Sequence, residues 1–231
     1  MPQRLAIFDV DGTLVDSQAL IVGCMRAAFE AEGLAPPEPE AIRRIVGLTL
    51  PITTAELLGE PDPVRAERLA ERYKEAFFAA RSRPDFEEAL FPGARDVLDG
   101  LLAEGWLLGI ATGKAMRGLR SVLERHRLER HFVTLQTSDR HPSKPHPAMI
   151  EAALAETGCR PGEAIMVGDT TFDILMARAA AVAPIGVGWG NHPAEELTAA
   201  GAVRVLERFA ELLDHVREPP GRGESGAVRF A

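Results

Sequence analysis

The sequence predicts an α/β fold: a doubly wound parallel sheet with an all-helical insert after its first strand. Three observations lead there. Leu5-Ala6-Ile7-Phe8 is a short apolar run that reads as a buried strand. From Glu40 to Arg83 the chain is rich in Ala, Glu, Arg and Leu without β-branched alternation, which reads as helix. From Trp106 onward strand-like and helix-like segments alternate, the pattern of βαβ units. The first strand therefore precedes the helices, and the rest of the sheet follows them. The implied division is an α/β core from 1–16 and 88–216, a helical insert over 17–87 and a disordered tail over 217–231.

Taken in order, Ser17 is placed to cap a helix running to about Glu32, which Gly33 ends. Pro36-Pro37-Glu38-Pro39 reads as a linker or a helix start. Three or four short helices follow, broken at Gly47, Pro51 and the Gly59-to-Pro63 stretch. Pro92-Gly93 opens a helix to about Glu104. Strands are expected at Trp106–Ala111, Phe132–Leu135, Ala164–Val167, Ala183–Val187 and Ala202–Leu206. Helices are expected at Ala115–His126, Pro147–Thr157, Thr171–Ala180, Pro193–Ala200 and Glu207–Val216. The Pro- and Gly-rich run from Glu218 to Gly226 has the composition of a disordered tail.

Composition narrows the function classes. The chain has 231 residues, 46% hydrophobic and 26% charged, as in ordinary globular proteins. No apolar run approaches the ~18 residues of a membrane span, so no membrane partner is expected. A net charge of −8 argues against nucleic acid, whose phosphates require clustered cations. Cys24 and Cys159 lack the spacing of a zinc site or a disulfide framework. The start, Met1-Pro2-Gln3-Arg4, leads straight into the first strand without room for a signal peptide, so the cytoplasm is the expected location.

The segment from Phe8 to Ser17 is the most informative. Alternate strand residues point the same way. Asp9 and Asp11 would thus project together from the C-terminal end of the strand, where open α/β sheets place their ligands. Gly12 lets the chain turn. Paired carboxylates imply a shared proton or a cation. A calcium loop needs glycine sixth and glutamate twelfth, whereas here Gly12 is fourth and Leu20 twelfth. A plain Asp-Gly turn before a helix is the bland alternative.

This decapeptide resembles motif I of the haloacid dehalogenase superfamily, most of whose members are Mg²⁺-dependent phosphatases. Three further stations fit that resemblance, each at the end of a predicted strand. Thr112-Gly113 is similar to motif II, where a hydroxyl and a flexible amide would bind phosphate oxygens. Alone, Thr112 reads equally as a helix cap. The spacing from Gly109 to Lys114 is one residue short of a Walker loop, and Ala115 lacks its hydroxyl. Lys144, between Ser143 and Pro145, resembles motif III, its charge balancing the carboxylates and the transferring phosphoryl. A solvated surface lysine is its alternative, and His146 in the same loop is taken as structural or helix-capping. Gly168-Asp169 with Asp173 resembles motif IV; Asp173 could equally be a first-turn acid favoured by the helix dipole.

The resemblance implies a helical cap over residues 17–87 and two-step phosphoryl transfer. Asp9 would be the nucleophile and Asp11 the general acid and base, with Thr112 and Lys144 assisting catalysis. Thr112, Gly113 and Lys144 would hold the phosphate, and Gly47 and Leu48 in the cap would face the substrate. Mg²⁺ would be bound at Asp9, Asp11 (through its main-chain carbonyl), Asp169 and Asp173, an all-oxygen set suited to a hard cation. Dehalogenases carry Tyr, and phosphonate hydrolases Ala, in place of Asp11. The related mutases carry an arginine where Leu50 stands, which favours hydrolysis here. Thr112-Gly113-Lys114 is closer to the phosphoglycolate-phosphatase-like branch. The expected partner is a small-molecule phosphate ester, turned over by a monomer or weak homodimer; a phosphomutase or an inactive binding protein are the alternatives. One departure is Ala181, where relatives often have a helix-ending glycine.

Overall fold

The computed structural model describes residues 3–217. Six strands form one sheet: β1 (Arg4–Phe8), β2 (Trp106–Thr112), β3 (Phe132–Thr137), β4 (Ala164–Gly168), β5 (Ala183–Val187) and β6 (Arg204–Leu206). They lie in the order β3-β2-β1-β4-β5-β6, and every pairing is parallel. The order runs one way from β1 to β3 and the other way from β4 to β6. The crevice at the C-terminal ends of β1 and β4 is thus the topological switch point, the usual ligand site of such sheets.

Ten α-helices accompany the sheet among the described residues. After β1 come α1 (Gln18–Ala31), α2 (Pro39–Arg43), α3 (Leu50–Leu58), α4 (Pro63–Arg81) and α5 (Ala94–Ala103). Alternating with the later strands are α6 (Met116–His126), α7 (Ala148–Thr157), α8 (Thr171–Ala179), α9 (Ala194–Ala200) and α10 (Ala210–Arg217). The predicted strands are all present. The helical stretch differs in detail: Pro51 lies in the first turn of α3, where its missing N–H costs nothing, and α4 is a single 19-residue helix. Arg217, placed by sequence in the tail, ends α10 and pairs with Glu104 at 2.6 Å. The rest of that tail lies outside the described residues.

Strand β1 explains the two-sided core. Leu5 and Ile7 enter one buried cluster with Met149, Met166 and Met176. Ala6 and Phe8 enter the other, with Leu98, Ile110 and Phe209. Period-two alternation thus yields a continuous apolar run because helices cover both faces. Burying a side chain such as Phe8 contributes about 1.5–3 kcal/mol. The insert has a cluster of its own: Ile21, Met25, Ala28 and Phe29 of α1 meet Ile42, Val46 and Leu69. The spacing i, i+4, i+7, i+8 makes that stripe.

Helix α8 ends in a Schellman motif. The Val182 N–H donates to the Ala177 carbonyl at 2.9 Å and the Ala181 N–H to that of Arg178 at 3.0 Å. Ala181 therefore occupies the left-handed region, with φ of 56°, where an alanine costs about 1 kcal/mol or more. The residues described contain no helix long and apolar enough to cross a membrane.

Candidate active site

The ladder of β1 continues one residue past the strand: the Asp9 N–H donates to the Val167 carbonyl of β4 at 3.0 Å. This bond fixes Asp9 at the switch point. The chain then turns at Gly12, whose φ is 82° and whose missing Cβ would lie 2.3 Å from Asp169 Oδ2. Only glycine satisfies both conditions. Beyond the turn, Ser17 stands at the N-cap position of α1 but makes no side-chain cap bond. Its hydroxyl donates instead to Asp11 Oδ1 at 2.7 Å. The capping role read from the sequence is thus replaced by one of orienting Asp11.

Lys144 is buried, which removes the reading of a solvated loop lysine. Its Nζ donates to Asp173 Oδ1 at 2.6 Å and lies 2.9 Å from Asp9 Oδ1. Burial disfavours the ammonium, yet the carboxylates of Asp173 and Asp9 outweigh it and raise the lysine's pKa above its ordinary value. Asp173 serves two purposes. Its Oδ2 accepts from the Thr170 N–H and hydroxyl, closing the capping box of α8, while Oδ1 meets the lysine. His146 accepts from the Ala148 N–H at 3.2 Å, a capping contact on α7.

Asp169, at the tip of β4, accepts three hydrogen bonds: from the Thr13 hydroxyl at 2.9 Å and from the backbone and side-chain amides of Asn191, both at 2.8 Å. Sequence reading missed Thr13 and Asn191. Thr13 lay unused inside the quoted motif; Asn191 follows β5 and carries no local signal. His192, also missed, joins the insert to the core. Thr171 N–H donates to its Nδ1 at 3.1 Å, leaving Nε2–H to donate to the Arg44 carbonyl at 3.0 Å.

Asp9, Asp169 and Asp173 are all buried, with carboxylate oxygens within 4.8 Å of one another. Burial pushes the Asp9 pKa up from 3.8 to about 8; Lys144 opposes this, and the neighbouring carboxylates add to it. Burial also raises Asp169 to about 6, reinforced by Asp173 and opposed by its Asn191 and Thr13 hydrogen bonds. Asp9 Oδ2 has no hydrogen-bond partner, and Oδ1 is met by the Lys144 ammonium. Three carboxylates facing one lysine leave negative charge uncompensated, and an all-oxygen set with an orphaned carboxylate oxygen fits a hard divalent cation. The Asp11 carboxylate stands outside this group. It faces Ser17 and Lys114, whose Nζ is 3.1 Å from Asp11 Oδ1.

Lys114, which the sequence reading used as a marker of the branch but gave no role, is a further residue of the site. Its stem lies along Gly118, where a Cβ would come within 3.0 Å of the lysine Cγ. Its ammonium sits 5.0 Å from the centre of the Phe77 ring of α4. Asp9, Asp11, Thr112, Gly113, Gly47 and Leu48 all line one cavity of about 940 Å³ between the strand ends and α1–α4. The Thr112 hydroxyl accepts from the Lys114 N–H at 3.2 Å. Lys144, Asp169 and Asp173 lie beneath, buried behind Asp9.

Comparisons with known proteins agree with this geometry. The sequence model of the family described as haloacid dehalogenase-like hydrolase matches residues 6–187. The probable phosphatase IndB of Dickeya dadantii is 35% identical over 211 residues, covering 90% of this chain and 91% of that protein. The phosphoglycolate phosphatase of Rhodospirillum rubrum is 32% identical over 237 residues, covering 99% and 97%. Among solved structures, a hydrolase from Pseudomonas syringae matches with a TM-score of 0.83 at 30% identity, covering 93% of this chain and 98% of that one.

Proposed function

This chain belongs to the haloacid dehalogenase-like hydrolase family, and on that footing we propose that it is a Mg²⁺-dependent phosphatase. Its substrates are small-molecule phosphomonoesters, of the phosphoglycolate or sugar-phosphate kind, cleaved through an aspartyl-phosphate on Asp9. The observation that carries the reading is Asp9 itself. It is a buried carboxylate at the switch point, with one oxygen paired to Lys144 and the other without a partner, beside Asp169 and Asp173. Relatives named as phosphatases over nearly the full chain support it.

In the first step an Asp9 oxygen attacks phosphorus and the bond to the ester oxygen breaks. Asp11 gives its proton to that leaving oxygen, then takes one from the water that hydrolyses the acyl phosphate. Ser17 and Lys114 hold the Asp11 carboxylate in one orientation. Lys144 places a fixed positive charge beside the nucleophile, and Thr112 and Gly113 offer a hydroxyl and an amide to the phosphoryl oxygens. A Mg²⁺ ion held by Asp9, Asp169, the Asp11 carbonyl and, directly or through water, Asp173 would supply the charge that lets an anionic nucleophile meet an anionic phosphate.

Residues 17–87 act in this reading as a cap over a core of 1–16 and 88–216. Gly47 and Leu48 face the substrate, and closure excludes bulk water. Leu50 lines the cavity without a charge, which favours hydrolysis over phosphomutase chemistry. Phosphate release from a panel of small esters, with Mg²⁺ and with EDTA, tests the proposal. Turnover should require the metal. Full activity in EDTA, or glucose 6-phosphate formed from β-glucose 1-phosphate faster than free phosphate, would overturn it.

A further inference from the structure

We propose that the substrate of this site is an elongated phosphate monoester: phosphate at one end, an apolar body, and a second anionic group that reaches the arginine face of α6, formed by Arg117 and Arg125. This rests on the phosphatase reading and narrows its ester class, keeping the phosphoglycolate-like pairing of phosphate and second anion but in esters much longer than phosphoglycolate. The first ground is size. A cavity of about 940 Å³ stands near the top of the range of about 300–1,000 Å³ that encloses drug-sized ligands. A two-carbon phosphate ester would leave most of it to water. The second ground is its lining. Ile42, Leu50, Phe77 and Phe78 line it, and the Phe78 ring is left largely uncovered, the residue being 64% exposed. Such walls gain from contact with an apolar body.

The third ground is charge. Helix α6 starts just after the end of β2, and Arg117, Ser121 and Arg125 recur on it every four residues, so they share one face. All three line the cavity. The two arginines are about 12 Å apart along the helix axis. Among the described residues neither pairs with a carboxylate; Arg125 stands 4.8 Å from the centre of the Phe86 ring. Between them Arg81 of α4 donates to the Ser121 hydroxyl at 2.9 Å, joining the two helices. Guanidinium forks without a protein carboxylate, on a wall continuous with Asp9 and Asp11, suit an anionic group of the ligand.

The test is phosphate release from a homologous series of ω-phosphooxyalkanoates. It runs from the two-carbon member, phosphoglycolate, to one of about ten carbons, beside plain alkyl phosphates of equal length. kcat/KM should rise with length, by up to about fourfold per buried methylene. Each long carboxylate-ended ester should exceed its alkyl partner by about tenfold, chiefly through KM. In the double variant Arg117→Gln with Arg125→Gln the two should converge. Efficiency highest for phosphoglycolate and falling with length would overturn the inference, as would a carboxylate advantage that survives in the double variant. The length series needs only the wild-type protein, so it decides even where the variant folds poorly. Turnover of 4-nitrophenyl phosphate without preference for length or charge defeats this inference alone. No phosphate from any ester, 4-nitrophenyl phosphate included, defeats the phosphatase reading and this inference with it.

Discussion

The carbonyl oxygen of Gly47 lies 2.5 Å from the point a Cβ on Gly113 would occupy. A loop of the helical insert thus rests directly on the backbone that follows β2, with no side chain between them. Gly47 itself has φ of 99°. Gly113→Ala should push the Gly47-Leu48 loop away from the strand ends while leaving the sheet intact. A misplacement of about 1 Å costs up to about a hundredfold in rate. We expect kcat/KM to fall by about ten- to a hundredfold with little loss of thermal stability. Unchanged kinetics would show that this contact does not set the geometry of the site.

Ala181→Gly should stabilise the protein. The alanine sits at a φ of 56° that glycine adopts without strain, although glycine also gains freedom in the unfolded chain. The net gain should be about 0.5–1 kcal/mol, or roughly 1–4 °C in Tm, with activity unchanged. A lower Tm would mean that the left-handed cap is not strained.

Much of the site was legible because its signals are local. Asp9, Asp11 and Gly12 follow a strand within four residues, so spacing puts the pair at a strand end, and Asp169 and Asp173 straddle a strand-to-helix turn that resembles motif IV. Lys144 was legible as a motif but not as a buried group, since burial depends on what surrounds the loop. Asn191 and His192 gave no signal and Lys114 only a branch resemblance, because their partners Asp169, the Arg44 carbonyl and Asp11 are distant in sequence. Ser17 was misread for the opposite reason: a helix start offers a strong local cap signal, and a carboxylate six residues away competed for the hydroxyl and won. In the fold, the doubly wound parallel sheet followed from alternation, whereas Pro51 looked like a break only because its place in the first turn could not be read.

The raised pKa values of Asp9 and Asp169 fix the sign of a pH effect. Folded Asp9 holds its proton to about pH 8 and Asp169 to about pH 6, against 3.8 ordinarily. Between those values the folded state binds more protons than the unfolded chain, so stability falls as pH rises. In EDTA, the Tm of Asp9→Asn relative to wild type should therefore increase from pH 5 to pH 8, by on the order of 5–10 °C. Stabilisation of the wild type by Mg²⁺ should grow over the same range. A relative Tm that is flat or falls with pH would contradict this assignment of the buried protons.

Asp11→Asn should slow the first step most for esters with poor leaving groups, because the lost proton matters most there. Alkyl phosphates should lose several hundredfold or more and 4-nitrophenyl phosphate much less, of order tenfold. An equal loss across leaving groups would remove Asp11 from the acid role and leave Lys114 and Ser17 orienting a group without that function.

The most direct test of Asp9 as nucleophile is to trap the phosphoryl-enzyme. Asp11→Asn is mixed with 4-nitrophenyl phosphate and Mg²⁺, quenched in acid during the first turnover, and mapped by peptide mass spectrometry. Because the same variant lacks the base for hydrolysis, the phosphoryl group should accumulate on the peptide carrying Asp9, at that residue. Substrate consumed with no phosphoryl group on Asp9, or with the group on another residue, would contradict the assignment.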